Sequence, residues 1–311
     1  MNRVSTTGNY NQVLSNIMAA QQRQMEAGNQ VATQKKGNDL KDFSRNADML
    51  TAMRSIDVRL GGYLEQNKLI ADKLTTQDFG LNQVAESADG VRQAIAESLA
   101  SGRADTLMQD IRGYFRNSVE GMNARYGGKY LFAGGKIDTQ PVTATAMADL
   151  TNPGTPLISD FFQNDDFVTQ AKIDDSTTVN TGLLADDIGT DLLQAFKDIQ
   201  VFEEGGSGPF TGELTTAQQT FLEGILATWD TVHKDIINET ARNGMVQKRV
   251  ESVKKDLVSR QDSLQGMMGE ITDADMTLAI SALEQAQLSV QAASQVFLTL
   301  QNSSLLNVLQ P

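Results

Sequence analysis

Two long stretches of this sequence place apolar residues on a strict 3.5-residue period, and nothing else in the chain constrains its fold as much. From Met53 the alternating +3/+4 positions read Met53, Ile56, Leu60, Tyr63, Asn67, Ile70, Leu74, Gln77, Leu81, Val84, Ala88, Val91, Ile95 and Ser98. An isolated amphipathic helix turns every 3.6 residues. A seam held on 3.5 over six heptads therefore has to supercoil against a partner. At ~1.5 Å per residue this stretch is roughly 70 Å long. A second seam starts at Leu222 and runs through Ile225, Trp229, Val232, Ile236, Glu239, Asn243, Val246, Val250, Val253, Leu257, Arg260, Leu264, Met267 and Ile271. Glu239 and Asn243 interrupt it, and polar seam residues set register more often than they carry chemistry. Two such helices separated by an insert are expected to pack antiparallel within one chain. A third helical stretch, with Leu107, Ile111, Tyr114, Met122 and Tyr126, is expected to fold back beside them.

Between Lys136 and Leu214 the helical rule lapses. Pro141, Pro153, Pro156 and Pro209 fall there, and the alternating run Phe167–Ile173 reads as short strands. A helix over Asp191–Phe202 is expected to lead back to the second seam. The net charge of −13 is concentrated in this region: Ile137–Glu213 holds 14 acids and only two bases, Lys172 and Lys197. Such a surface repels nucleic acid and anionic membrane, so it should face solvent. The expected fold is mainly α: long antiparallel heptad helices forming a coiled-coil-like rod, terminal helices, and a small β-rich insert. The expected segments are 1–40, a terminal helix; 41–136, helical rod with a hairpin; 137–188, the acidic insert; 189–271, the returning rod; and 272–311, a second terminal helix. The insert is expected to be dispensable for the rod.

The terminal segments are amphipathic but poor in charge. A capping-box-like Thr272-Asp-Ala-Asp275 precedes a helix with Met276, Ala279, Leu283, Ala286, Val290, Ala293, Phe297 and Leu300 on one stripe, and after Asp275 its one charged residue is Glu284. The N-terminal segment has Tyr10, Leu14, Ile17, Met25 and Val31 among Asn, Gln and Ser. Burying a large seam residue yields about 1.5–3 kcal/mol, so one stripe offers ~15 kcal/mol. Ordering ~35 residues costs ~1–2 kcal/mol each. These segments are therefore expected to order only against partner helices. Leu14, Ile17, Met25, Met276, Leu283, Val290, Phe297 and Leu300 are the candidate assembly residues. Leu283, Val290 and Phe297, seven residues apart, are expected to have nothing to pack on in a monomer.

Site chemistry is missing. The chain has no Cys and one His, which excludes thiolate catalysis, Cys-ligated metals and disulfides. His233 has no nucleophile or acid arranged around it in sequence. Gly134-Gly135-Lys136 lacks the phosphate-loop spacing, and the doublets Asp165-Asp166, Asp174-Asp175 and Asp186-Asp187 do not form a calcium loop. No catalytic, metal or cofactor site is expected. The first residues, MNRVSTTGNYNQVL, carry no secretory signal pattern. Export, if it occurs, is expected to leave the N-terminus uncleaved.

Helices at both ends, an acidic insert and no Cys resemble the bacterial flagellin family. The resemblance is carried by RVSTTGNYNQVLSNI, QVATQKKGNDLKDFSRNAD, the hairpin-like Gly128-Lys-Tyr-Leu-Phe-Ala-Gly-Gly-Lys-Ile-Asp-Thr-Gln-Pro141, Ala241-Arg-Asn-Gly-Met-Val-Gln-Lys-Arg249, Glu270–Asp275 and Gln295–Leu309. It covers roughly residues 1–140 and 189–311, and is most like the family's hook–filament junction members. Gln34 stands where those proteins commonly have Gly before a basic pair. The resemblance implies a secreted, non-enzymatic flagellar subunit, exported unfolded by the type III route with a cytoplasmic chaperone on its C-terminal helix. It implies a ring of its own copies between a hook-side hook-associated protein and flagellin, without nucleic acid, membrane or cofactor. A flagellin forming the filament itself is the alternative, and an intracellular coiled-coil scaffold a more distant one.

Overall fold

The computed structural model describes residues 3–152 and 157–309, with side chains from residue 11 to residue 301. The side chain of Tyr10, Pro153 and Pro156, and the side chains after Gln301 lie outside the described residues. Six α-helices are described: α1 (Arg3–Thr33), α2 (Ala47–Ser101), α3 (Leu107–Met122), α4 (Ala185–Glu204), α5 (Thr216–Thr272) and α6 (Met276–Leu309). The described residues also form three short 3-10 helices (Leu40–Phe43, Met147–Thr151 and Ile158–Phe161) and two antiparallel ladders, β1 (Arg125–Tyr126) with β2 (Lys129–Tyr130) and β3 (Gln170–Lys172) with β4 (Thr178–Asn180). The mainly α fold with a small β portion is the one the periodicity calls for. The chain divides into two compact units, residues 60–258 and residues 1–59 with 259–311.

In the 60–258 unit the α2 seam is buried as its period requires. Leu60, Asn67, Leu74, Gln77, Leu81, Val84, Ala88, Val91, Ile95 and Ser98 are all buried. On α5 the buried seam residues of this unit are Leu222, Ile225, Trp229, Val232, Ile236, Asn243, Val250, Val253 and Leu257. Asn243 donates its amide to the Leu74 carbonyl (3.0 Å), while Arg92 of α2 meets Asp230 of α5 (2.9 Å). Partners thus rise in number along α2 as they fall along α5, so the helices are antiparallel. Asn243 fixes which turn of α5 faces Leu74, the register role expected of it. Gln247 donates to the same carbonyl at 2.9 Å.

The thickest packing lies where α3 and α4 join α2 and α5. Phe196 meets Phe115 and Trp229 edge-on, with ring centroids 5.2 and 4.8 Å away. Edge-to-face pairs contribute about 0.5–1.5 kcal/mol beyond area burial. The hairpin β1–β2 turns at Gly127 and Gly128, both at positive φ (57° and 82°). Successive left-handed residues define the tight turn whose twist matches paired strands, which is why two glycines stand there. Leu131 and Phe132 then enter the core, and Ala133 after them is buried.

The acidic insert is not a free appendage. Val142, Met147, Leu150, Ile158 and Phe161 belong to the same buried cluster as Phe115, Phe196 and Trp229. The loop joining β3 to β4 is tied to α2, because Asn67 donates to the Ile173 carbonyl (2.9 Å) and the Tyr63 hydroxyl to Asp175 (3.1 Å). The idea that 137–188 could be removed without touching the helices therefore gives way. Its apolar residues, spaced irregularly between prolines, are core residues that no helical period could reveal.

In the other unit α1 and α6 pack on one another. Their connections interlock: Lys36 N–H donates to Thr272 O (2.8 Å) and Ala274 N–H to Gln34 O (2.9 Å). Lys36 Nζ donates to the last carbonyls of α5, Glu270 O (2.8 Å) and Ile271 O (3.2 Å), where a cation suits the helix dipole.

Candidate assembly surfaces

The N-cap of α6 is Asp275, whose Oδ1 accepts from the Thr277 and Leu278 amides (2.9 and 3.2 Å). Thr272, the expected cap, is instead the last residue of α5, its hydroxyl bonded back to Met268 O (3.0 Å). An Asp and a Thr three apart offer the same signal, and the turn geometry decides between them.

Of the candidate residues, Met276, Leu283, Val290, Phe297 and Leu300 are half-buried on the side of α6 that carries the buried Ala279 and Ala286. They share that side because 283, 290 and 297 repeat every seven residues. Leu283 Cδ1 lies 3.9 Å from where a Cβ on Gly28 of α1 would stand, and Ala20 and Ala27 of α1 are buried. This corrects the expectation that the stripe has nothing to pack on within one chain. Small residues on α1 let the two helices approach, so the first partner of α6 is intramolecular. Ile17 is half-buried as well. Leu14 and Met25 are not brought into the pair; Met25 is 66% exposed.

The heptad reading missed the other faces of α6. Leu278, Ile280, Leu288, Val296 and Leu298 are exposed. Leu278 and Val296, eighteen residues or five turns apart, share one line, and Ile280 and Leu298 share another. Leu288 lies on a third. On α1, Met18 adds to Leu14 and Met25. A helix apolar on all sides belongs in an interior, yet α1 covers one side of α6. The signal was in the sequence: Leu, Ile and Val stand off the chosen stripe, and charge is nearly absent.

The α1–α2 and α5–α6 connections also share an ion pair, Lys35 with Asp273. The Lys35 ammonium and the Thr272 hydroxyl hold the Asp273 carboxyl below its usual range. Gln34, just before it, has φ 58°. This left-handed position is where glycine is expected on physical grounds, and it is also where the junction-like proteins were expected to carry Gly. Among the described residues no three His, Asp or Glu side chains converge as a metal site, and no helix is long and apolar enough to cross a membrane.

Residues 226–309 match the bacterial flagellin C-terminal helical region. No curated protein sequence matches the chain. Among solved structures, a protein of Vibrio parahaemolyticus described as a flagellar hook-associated protein is similar over 75% of this chain and 100% of its own, at TM-score 0.60 and 14% identity. FlgL of Bacillus cereus is similar over 69% of this chain and 99% of its own, at TM-score 0.51 and 18% identity. At such identities the two structures establish a shared fold. Residues 226–309 are thus similar to the C-terminal helical region of bacterial flagellins, and the chain shares its fold with flagellar hook-associated proteins.

Proposed function

We propose that this chain is a non-catalytic structural subunit of the bacterial flagellum that forms an adaptor ring between hook and filament. The observation that carries the reading is the incomplete burial of α6, which has apolar side chains on every face and one covering helix. Further copies of the α1–α6 pair would cover the rest. In this reading Met276, Leu283, Val290, Phe297, Leu300 and Ile17 hold the pair together, and Leu14 and Met25 join Leu278, Leu288 and Leu298 on its outer faces. The hook-side hook-associated protein and flagellin are the expected neighbours above and below, and an export chaperone would shield α6 beforehand. The resemblance of the sequence to junction proteins and the fold shared with hook-associated proteins support this placement.

The outer faces give the sharper test, because Val290 or Phe297 changes would also disturb the pair within one chain. Leu288→Asp and Leu298→Asp place a carboxylate where the assembly requires a dry contact, at a cost of several kcal/mol per subunit. Each variant should be exported and keep its helical content, yet fail to retain filaments, with flagellin shed into the medium. Exported Leu288→Asp protein that still anchors full-length filaments overturns the assembly surface. Immunogold labelling separates the junction from the filament: a band at the distal hook end is expected, and label along the filament would make the chain a filament flagellin.

A further inference from the structure

The 60–258 unit carries an exposed apolar ridge and an apolar groove that complement one another. The ridge lies on α2, where Leu69 and Phe79 are 60% and 73% exposed. Glu65, Asp72 and Thr76 lie with them within about 40° of one line along the helix. Neither Glu65 nor Asp72 has an ion-pair partner among the described residues. An exposed phenyl ring and leucine flanked by unpaired carboxylates have no evident role inside the chain.

The groove is a cavity of about 480 Å³ between α5 and the segment that follows β3 and leads into α4. Leu74, Val179, Leu183 and Val246 line it, and Met245, 63% exposed, stands at its rim. Arg242 and Arg249 also line it. Arg242 shares its charge with Glu239 at 2.8 Å, whereas Arg249 has no ion-pair partner among the described residues. Residues 242–258 carry five bases and two acids, in a chain of net charge −13. Leu74 precedes Phe79 by five residues, so the two side chains point about 140° apart around α2. A ridge on one side of the helix cannot fill a groove floored by the other.

We propose that the ridge of one copy seats in the groove of a second copy. Phe79 enters the cavity beside Met245 and Val246, and Asp72, about 10 Å farther along its helix, faces Arg249. Charge of opposite sign on the two sides both steers the encounter and fixes its register. Because the two surfaces differ, the contact is head-to-tail. It leaves a free ridge on one end of a pair and a free groove on the other, so it repeats until the copies close into a ring or continue as a helix. The inference rests on the reading of the chain as a flagellar ring subunit and adds the lateral contact that such a ring needs.

The natural absence of cysteine permits a direct test in flagellated cells. Thr76→Cys lies on the ridge without removing Phe79, and Met245→Cys lies on the groove rim. A disulfide needs Cβ atoms ~4 Å apart, so oxidation of purified flagella carrying both changes in one chain should give a ladder of two, three and more linked copies. Neither single-cysteine chain should link. As a second arm, Arg249→Glu should lower incorporation into flagella on the order of tenfold, and adding Asp72→Arg should restore it, with far-ultraviolet dichroism unchanged throughout. An incorporated double-cysteine chain that stays monomeric overturns the contact, as does linkage by a single cysteine. A linked band that is not a multiple of this chain means another protein fills the groove, which also overturns it. If the cysteine pair blocks incorporation, the charge exchange decides, and a defect that Asp72→Arg leaves unrescued counts against the contact. Absence of the unaltered chain from flagella overturns the ring-subunit reading and this contact together.

Discussion

The core of the 60–258 unit and the α1–α6 pair are both helix packings, and they use opposite residue types. In the first, Trp229, Phe115, Phe196, Leu81 and Ile95 are fully buried, and the polar residues sent inside include Asn243 and Asn67, each donating to a backbone carbonyl. In the second, the side chains buried among the described residues are Ala20, Ala27, Ala279 and Ala286, while Leu278, Leu288 and Leu298 face outward. Burial free energy follows apolar area, so the first packing is energetically finished within one chain and the second is not. A helix pair that hides its alanines and displays its leucines is what the proposed assembly surface predicts.

The largest effect expected from this contrast is in the finished core. Phe196→Ala removes a ring that touches both Phe115 and Trp229, and should cost about 3–5 kcal/mol. Chemical denaturation followed by tryptophan fluorescence reads this directly, because Trp229 is the chain's one Trp. Leu278→Ser in a verified monomer should stay within about ±0.5 kcal/mol, the range for exposed positions. A loss of 2 kcal/mol or more at Leu278 would mean that the outer face of α6 is already covered, and the contrast would collapse.

A smaller effect, of opposite sign, is expected at the base of the α1–α6 pair. A non-glycine residue in the left-handed region costs about 1–2 kcal/mol, while glycine adds about 0.5–1 kcal/mol of unfolded-state entropy. Gln34→Gly should therefore stabilise by about 0.5 kcal/mol, seen as slower hydrogen exchange in the last turn of α1. Faster exchange there would show that the Gln34 side chain holds the turn in a way its backbone does not reveal.

The smallest effect is a local titration in the finished unit. Asp165 accepts from the Gly135 and Phe167 amides (2.7 and 3.1 Å), and these bonds, Gly135 first, hold its carboxyl below the ordinary 3.8. A lowered folded-state value favours the ionised form on folding. The contribution is thus present above pH 3.8 and is lost as pH falls through the lowered value. The Gly135 amide resonance should shift on acidification in step with that titration, and Asp165→Asn should abolish the shift. A Gly135 resonance indifferent to acid in the unaltered chain would sever the link between Asp165 and the hairpin.

Much of this was legible beforehand because helical burial is periodic. Leu60 to Ser98 and Leu222 to Leu257 were picked out by spacing alone, and the polar seam residue Asn243 is buried where the count placed it. The paired glycines 127 and 128 likewise belong to local backbone chemistry, which a sequence states directly. The insert was not legible in this way. Val142, Met147, Leu150, Ile158 and Phe161 sit at no fixed period, so their membership of the central core depends on how α3, α4 and α5 close around them. The choice of Asp275 over Thr272 as the cap, and of α1 as the first cover for Leu283, likewise waited on tertiary geometry. The sequence by itself determined which helices form and that α6 is too apolar to stand uncovered. Only the tertiary structure decided which of its faces is covered within the chain and which are left exposed, because that division depends on which residues a second helix can approach.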